Sequence, residues 1–270
     1  LEGYKMKNVI IVIAMAYLIS LSFFAQAAKL SDDEALILYL PFDEGSGDKT
    51  YDLSKSSLVG TLVKNPKWVD GKFGKALEFD GKSNYVQIEE DFSPQAAEEN
   101  GELSICAWVK VLDVATDSHG QTRQPIVMKG FSGEWEYALY VYDSLAAGFS
   151  LWQCTGSGHT EPSGGALTKG KWHFVAGTYK LKGDTKVYID GKVVITDSSR
   201  RGNACNGTRP IMIAHREDGQ FLKAVIDEVS MWSRELSEDE VNQLMKGPLA
   251  LAVNPKGHLT TYWGLLKSAR

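Results

Sequence analysis

From residue 36 to residue 232 the chain is a series of short β-rich runs broken by Gly, Asp and Asn. Runs such as LILYLPF, LSICAWVKV, WEYALYVY, WHFVAGTYK and AVIDEVSMW, with others such as YVQIE, TKVYID and RPIMIAH between them, recur at regular short intervals. That spacing predicts an antiparallel all-β domain, a sandwich or a barrel, rather than alternating βα units. YIDGKVVI places Asp190-Gly191 between two β-rich runs, a strong hairpin signal, and EFDGKSNYVQI repeats it more loosely around Asp80-Gly81. In LSICAWV, Leu103, Ile105, Ala107 and Val109 share one face, with Cys106 and Trp108 on the other. Apolar groups on both faces predict a strand covered on both sides, as in the middle of a sandwich.

The last run raises a problem. Strict alternation puts Val225, Asp227, Val229 and Met231 on one face and Ile226, Glu228, Ser230 and Trp232 on the other. Asp227 then shares a face with three apolar side chains. A carboxylate there loses water and needs a backbone amide, a basic side chain or a metal ion in its place. Directly after this run, LSEDEVNQLMKGP predicts a short helix. Ser237 and Glu240 form a capping box, Leu236 and Val241 a hydrophobic staple, and Gly247-Pro248 a stop. So short a helix survives only by packing on the sandwich.

The chain of 270 residues carries 29 Lys and Arg against 34 Asp and Glu, a formal net charge of −5, which argues against a nucleic-acid partner. Residues 1–27 read as a secretory signal: Met6-Lys7 as the positive start, an apolar run from Val9 to Phe24, and small residues for cleavage after Ala27 or Ala28. The opening LEGYK (residues 1–5) reads as an over-extended start. The expectation is an exported protein, secreted or held in the cell envelope, with membrane contact only through an uncleaved signal anchor. Export permits disulfides. Of the three cysteines, Cys106 sits in a buried-looking strand, while Cys154 and Cys205 lie in polar, Gly-containing loops. Loop placement favours a Cys154–Cys205 bridge over the other pairings.

Five segments occur in a telling order: YLPFDEGSGDKTYDLS, GKFGKALEFDGKSNYVQI, LSICAWVKV, GKWHFVAGTYKLKGDTKVYIDGKVV and IDEVSMWSRELSEDEV. In that order they resemble laminin G-like domains of the concanavalin A-like lectin/glucanase superfamily, over about residues 36 to 247. The chain departs from that pattern at Ala214 and Lys223, where the family often has Gly. The resemblance implies a two-sheet antiparallel jelly-roll β-sandwich, assigned to residues 28–247 with one short C-terminal helix; apolar residues and Trp263 in the tail, 248–270, predict that the tail docks on the domain. The resemblance also implies a non-catalytic binding module for glycans or extracellular protein partners, often with a calcium ion at the edge where the first and last strands meet.

On that fold Asp43, Asp80 and Asp227 are the expected oxygen ligands of a structural calcium ion, completed by carbonyls of Gly-rich turns. The alternative is that Asp227 accepts backbone amides and Asp80 builds a turn. A glycan-binding face needs aromatic platforms flanked by polar groups. Trp135, Tyr137, Tyr142 and Trp152, with His215 and Arg216, are the candidates, against the competing expectation that aromatics of a sandwich belong to its core. Trp108 and Trp172 are assigned to packing, and His159 to a solvated loop. No E-x-D-x-E run is present to place two carboxylates at the spacing a retaining glucanase of this fold needs; Glu134 and Glu136 are only two apart. The expectation is therefore a protein without catalytic activity: a carbohydrate-binding module, or alternatively a protein-adhesion domain.

Overall fold

A computed structural model describes residue 30 and residues 32–89, 101–114, 123–130, 136–152, 159–199 and 207–249. The strands run in chain order as β1 (Leu36–Leu40), β2 (Lys49–Tyr51), β3 (Val59–Val63), β4 (Lys67–Asp70), β5 (Lys75–Glu78), β6 (Tyr85–Ile88), β7 (Glu102–Asp113), β8 (Arg123–Lys129), β9 (Tyr137–Tyr142) and β10 (Ala147–Trp152). They continue as β11 (His159–Thr160), β12 (Ser163–Gly164), β13 (Trp172–Lys180), β14 (Thr185–Ile189), β15 (Lys192–Asp197), β16 (Ile211–Ile213), β17 (His215–Arg216), β18 (Gln220–Phe221) and β19 (Lys223–Trp232), before helix α1 (Glu238–Leu244).

Among the described residues these strands form two large antiparallel sheets. One has eight strands in the order β15-β14-β13-β7-β19-β5-β4, with β1 also paired to β19; the other has nine in the order β11-β10-β9-β8-β16-β6-β3-β2, with β12 on β10. The inner faces meet in one apolar cluster that includes Leu103, Ile105, Ala107 and Val109 of β7 and Leu139, Val141, Phe149 and Leu151 of β9 and β10. Cys106 and Trp108 point the other way, into a second cluster beneath α1, so β7 is covered on both faces as its sequence predicts. Gly177 on β13 makes the sheet-to-sheet contact close: a β-carbon there would lie 2.3 Å from the Phe149 ring.

The local signals fold as read. Asp190 and Gly191 both take positive φ, 50° and 78°, the conformation of a tight hairpin between β14 and β15. Ser237 caps α1 with the reciprocal Glu240 bond, and Leu236 and Val241 are fully buried beneath it. Bidentate contacts from Arg234 to Glu240, and a further bond to Asp33, tie the helix to the segment before β1. Leu249 is buried, and its amide donates to the Tyr39 hydroxyl at 3.1 Å. The expected signal at 1–27 and the tail from residue 250 lie outside the described residues. No described helix is long and apolar enough to cross a membrane.

Strand β19 corrects the alternation. Asp227 pairs with Trp108 of β7, but the next partners are Ser230 and Cys106, so β19 carries one extra residue and the register shifts between Asp227 and Ser230. Glu228 lies in that bulge at φ +53°. Past the bulge Val229 and Met231 enter the core with Ile226. Asp227 therefore faces outward beside Trp108, not into a row with Val229 and Met231. The extra residue moves every later side chain to the opposite face.

Candidate functional site

The seam between the first and last strands is acidic. β1 and β5 both pair with β19, and the loop joining β4 to β5 closes over Asp227. Asp227 Oδ2 accepts the amides of Lys72 at 2.8 Å and Phe73 at 3.0 Å. Its other oxygen, Oδ1, is buried without a hydrogen-bond partner. Asp43 Oδ1 accepts the Lys75 amide at 2.8 Å, and Glu228 Oε2 accepts the Tyr39 hydroxyl at 2.6 Å. Burial pushes the Asp227 pKa up to about 7 against the pull of those two amides, and the nearby Asp43 charge adds to the rise. Burial likewise drives Glu228 well above the usual carboxylate range, with Asp227 and Asp43 contributing. Asp43, Asp227 and Glu228 thus feel one another's charge across a low-dielectric seam, which disfavours their ionised forms unless a cation offsets them.

Two glycines leave space at this corner. A β-carbon on Gly74 would lie 2.0 Å from Asp43 Oδ1. A β-carbon on Gly71 would lie 2.5 Å from the Phe73 carbonyl oxygen and 2.6 Å from both Asp227 Oδ2 and the Lys75 carbonyl oxygen. Oxygens therefore converge where only glycine keeps the space open. No group of three or more His, Cys, Asp or Glu side chains gathers as a metal cage among the described residues, so a cation here needs backbone oxygens as well as Asp43 and Asp227. Asp80 does not join them. It accepts the amides of Lys82 and Ser83 and the Ser83 hydroxyl, building its own turn. Asp227 comes opposite Ala76 if the Ile226–Leu77 pairing is extended by one residue, and Asp80 lies four residues further on, roughly 13 Å at strand rise.

A second constellation covers the outer face of the nine-stranded sheet. Met128, Ala138 and Tyr140 form a small apolar cluster there, with half-buried Tyr142 and Trp152 packed against it. Tyr142 lies across Gly148, whose β-carbon would sit 2.4 Å from the ring. Arg123 forms an ion pair with Glu161, which also accepts the Tyr142 hydroxyl. The Arg123 guanidinium is 5.8 Å from the centre of the Tyr140 ring. From the hairpin of β17 and β18, Arg216 bonds Tyr140 and pairs with Asp218. His215 turns instead toward β6, stacked 4.1 Å from Phe221 and 4.4 Å from Tyr85 between ring centres, and burial lowers its pKa.

A laminin G-type family model, described as the concanavalin A-like lectin/glucanases superfamily, matches residues 80–242. The chain belongs to that superfamily. No curated protein sequence matches this superfamily member significantly. Among solved structures, the binding domain of Paraclostridial Mosquitocidal Protein 1 superposes with a TM-score of 0.61 at 16% identity, covering 78% of this chain and 52% of that one. The binding domain of Botulinum Neurotoxin DC in complex with SialylT gives 0.60 at 16%, covering 79% and 51%. The same toxin's binding domain in complex with rat synaptotagmin II gives 0.62 at 15%, covering 79% and 52%. This lectin-superfamily chain spans about half the length of those structures. At such identity the likeness shows a shared fold.

In this superfamily member the expected ligand residues separate. Tyr142, Trp152 and Arg216 come to one face, and His215 stands beside it. Tyr137 does not: it is fully buried and belongs to the inter-sheet core, because β9 alternates Tyr137, Leu139 and Val141 inward. Arg123 and Glu161 were missed by the sequence reading, since nothing local marks two charges 38 residues apart as partners. Glu136 is fully buried against Lys129 Nζ at 2.5 Å, and both grip the backbone of Gly207. Cys106 is a buried free thiol whose pKa burial raises to about 12. Trp135, Glu134, Cys154 and Cys205 lie outside the described residues, so the proposed bridge does too; of His159 only the backbone is described.

Proposed function

We propose that this chain is an exported, non-catalytic carbohydrate-binding module whose ligand sits on the outer face of the nine-stranded sheet. The observation that carries the reading is Tyr142, laid across Gly148 and bonded to Glu161, which also holds Arg123. An aromatic ring flanked by a fixed donor and a fixed acceptor suits a sugar ring, which offers an apolar face and a rim of hydroxyls. Trp152 supplies a second ring on the same face. Export is supported by the signal-like segment at residues 1–27. The non-catalytic reading is supported by Glu136, whose pairing with Lys129 leaves it enclosed rather than poised for acid–base work.

The same reading includes a structural calcium ion at the acidic seam. Asp43 and Asp227, with the carbonyls of Phe73 and Lys75, would hold it, and its charge would offset the clustered carboxylates. The orphaned Asp227 Oδ1 supports this assignment.

Binding to a glycan array and to insoluble polysaccharides tests the main claim. Tyr142→Ala should weaken retention roughly tenfold or more, about 1.4 kcal/mol, while melting like the parent. Absence of binding to every glycan, with and without calcium, would refute it. A second reading, protein adhesion, is favoured by a different observation. Tyr51, Leu53 and Val59 are 41%, 41% and 43% exposed at the β2 edge, an apolar group that a protein partner could cover.

A further inference from the structure

We infer that the ligand of the nine-stranded sheet is an uncharged oligosaccharide and that sialylated or sulfated glycans are disfavoured; this rests on the glycan reading above. The argument is one of charge accounting. The two arginines placed at this face each already have a carboxylate: Arg123 has Glu161 and Arg216 has Asp218. The side chain of Arg216 is only 8% exposed, and that of Arg123 22%. Recognising an anion would mean parting a guanidinium from its acid and placing the ligand's negative charge beside that acid. Like-charge contact at a desolvated site is among the more costly ways to bind.

Beside these ion pairs lie three other side-chain groups that favour a neutral ligand. The Ser150 hydroxyl is fully buried on the outer face between the rows of Tyr142 and Trp152, and it has no partner. Both ends of the Gln220 amide are buried and unpartnered, and Gln220 pairs across the hairpin with Arg216. Asp218 Oδ1 is a further buried acceptor without a donor. Hydroxyl groups, which both donate and accept, satisfy such a set; a carboxylate or sulfate, which only accepts, does not. Length follows from the strand. Tyr142 lies over Gly148, and Trp152 is four residues along β10, roughly 13 Å at strand rise. Contact with both rings takes more than one sugar unit.

The test is a titration of the full chain with matched sets of one oligosaccharide core, printed and in solution: neutral, sialylated and sulfated. The neutral form should bind roughly tenfold or more tighter than either anionic form at moderate salt. Glu161→Gln keeps an acceptor for Tyr142 but releases the Arg123 charge, so it should narrow that gap severalfold, chiefly by improving the anionic forms. Asp218→Asn should do the same at Arg216 and serves if the first variant folds poorly, as judged by melting. Anionic forms bound as well as or better than neutral ones would overturn the inference and leave the glycan reading standing. A gap unchanged in both folded variants would overturn the charge argument. Failure of every set to bind would sink both.

Discussion

The outer faces of the two sheets treat buried acids in opposite ways. On the eight-stranded sheet, Asp43, Asp227 and Glu228 gather without a basic partner among their hydrogen bonds: backbone amides and the Tyr39 hydroxyl meet them instead. Burial accordingly raises the pKa of all three. On the nine-stranded sheet, Glu161 and Asp218 each hold an arginine, and Glu136, within the sandwich, holds a lysine. A carboxylate with its cation built in needs nothing from outside; a cluster without one is a site that an external cation would stabilise. The paired acids of the nine-stranded sheet would suit a neutral ligand, the unpaired cluster of the eight-stranded sheet a metal ion.

The largest expected effect comes from making the second region resemble the first. Lys129→Met leaves Glu136 charged and fully buried, and should cost about 3–5 kcal/mol in denaturant unfolding. The double variant Lys129→Met/Glu136→Leu should recover much of that loss. A single variant as stable as the parent would break the contrast.

Next comes calcium itself. An ion that binds the folded chain and not the unfolded one should stabilise it by about 2.7 kcal/mol at a hundredfold excess over Kd. Asp227→Asn should nearly abolish the gain. Four melting curves decide it: parent and variant, each with calcium and with chelator. If chelator leaves the parent unmoved while the variant is still destabilised, Asp227 acts only through its two amides. Asp80→Asn should leave the calcium gain intact, because Asp80 belongs to its own turn.

A smaller effect concerns a carboxylate that does have its cation. Burial works against Glu240, but Arg234 and Ser237 hold its pKa down to about 2. A group whose folded pKa lies below its unfolded value contributes stability above the unfolded value and loses it as pH falls through the folded one. The Glu240 contribution should therefore be intact above about pH 4.5 and fade toward pH 2, and Glu240→Gln should flatten that acid limb of a stability profile. Ser237→Ala should cost about 1 kcal/mol through the lost cap.

The smallest expected change is a gain. Ala214 is held at φ +64° at the root of the hairpin that carries His215 and Arg216. Ala214→Gly should stabilise by about 0.5–1 kcal/mol and leave the calcium response unchanged. The companion position behaves differently. Lys223 stands where a β-carbon on Gly81 would come within 2.6 Å of its own Cβ, so the space released by Gly81 accommodates it.

Much of the architecture was legible in the chain because its signals are local. The inward alternation of Leu103 to Val109, the positive-φ pair Asp190-Gly191 and the reciprocal cap of Ser237 and Glu240 each depend on residues a few positions apart. The candidate sites were half legible. Asp43 and Asp227 do meet at the seam, and Tyr142, Trp152 and Arg216 do share a face, whereas Asp80 and Tyr137 point elsewhere.

What only the tertiary structure decided was pairing at a distance and the face each side chain finally takes. One extra residue at Glu228 sends Asp227 outward to Trp108 and brings Glu228 to Tyr39, 189 positions away in the chain. Glu136 finds Lys129, and Arg123 finds Glu161, through strand neighbours and loops that no local periodicity encodes. The sequence by itself determined the strands, the turns, the helix cap and the acids available to the seam, because backbone propensity and hydrophobic alternation act over a few residues. Which of those acids would be left without a cation was settled by register and burial, because the cost of a buried charge depends on what the whole fold places around it.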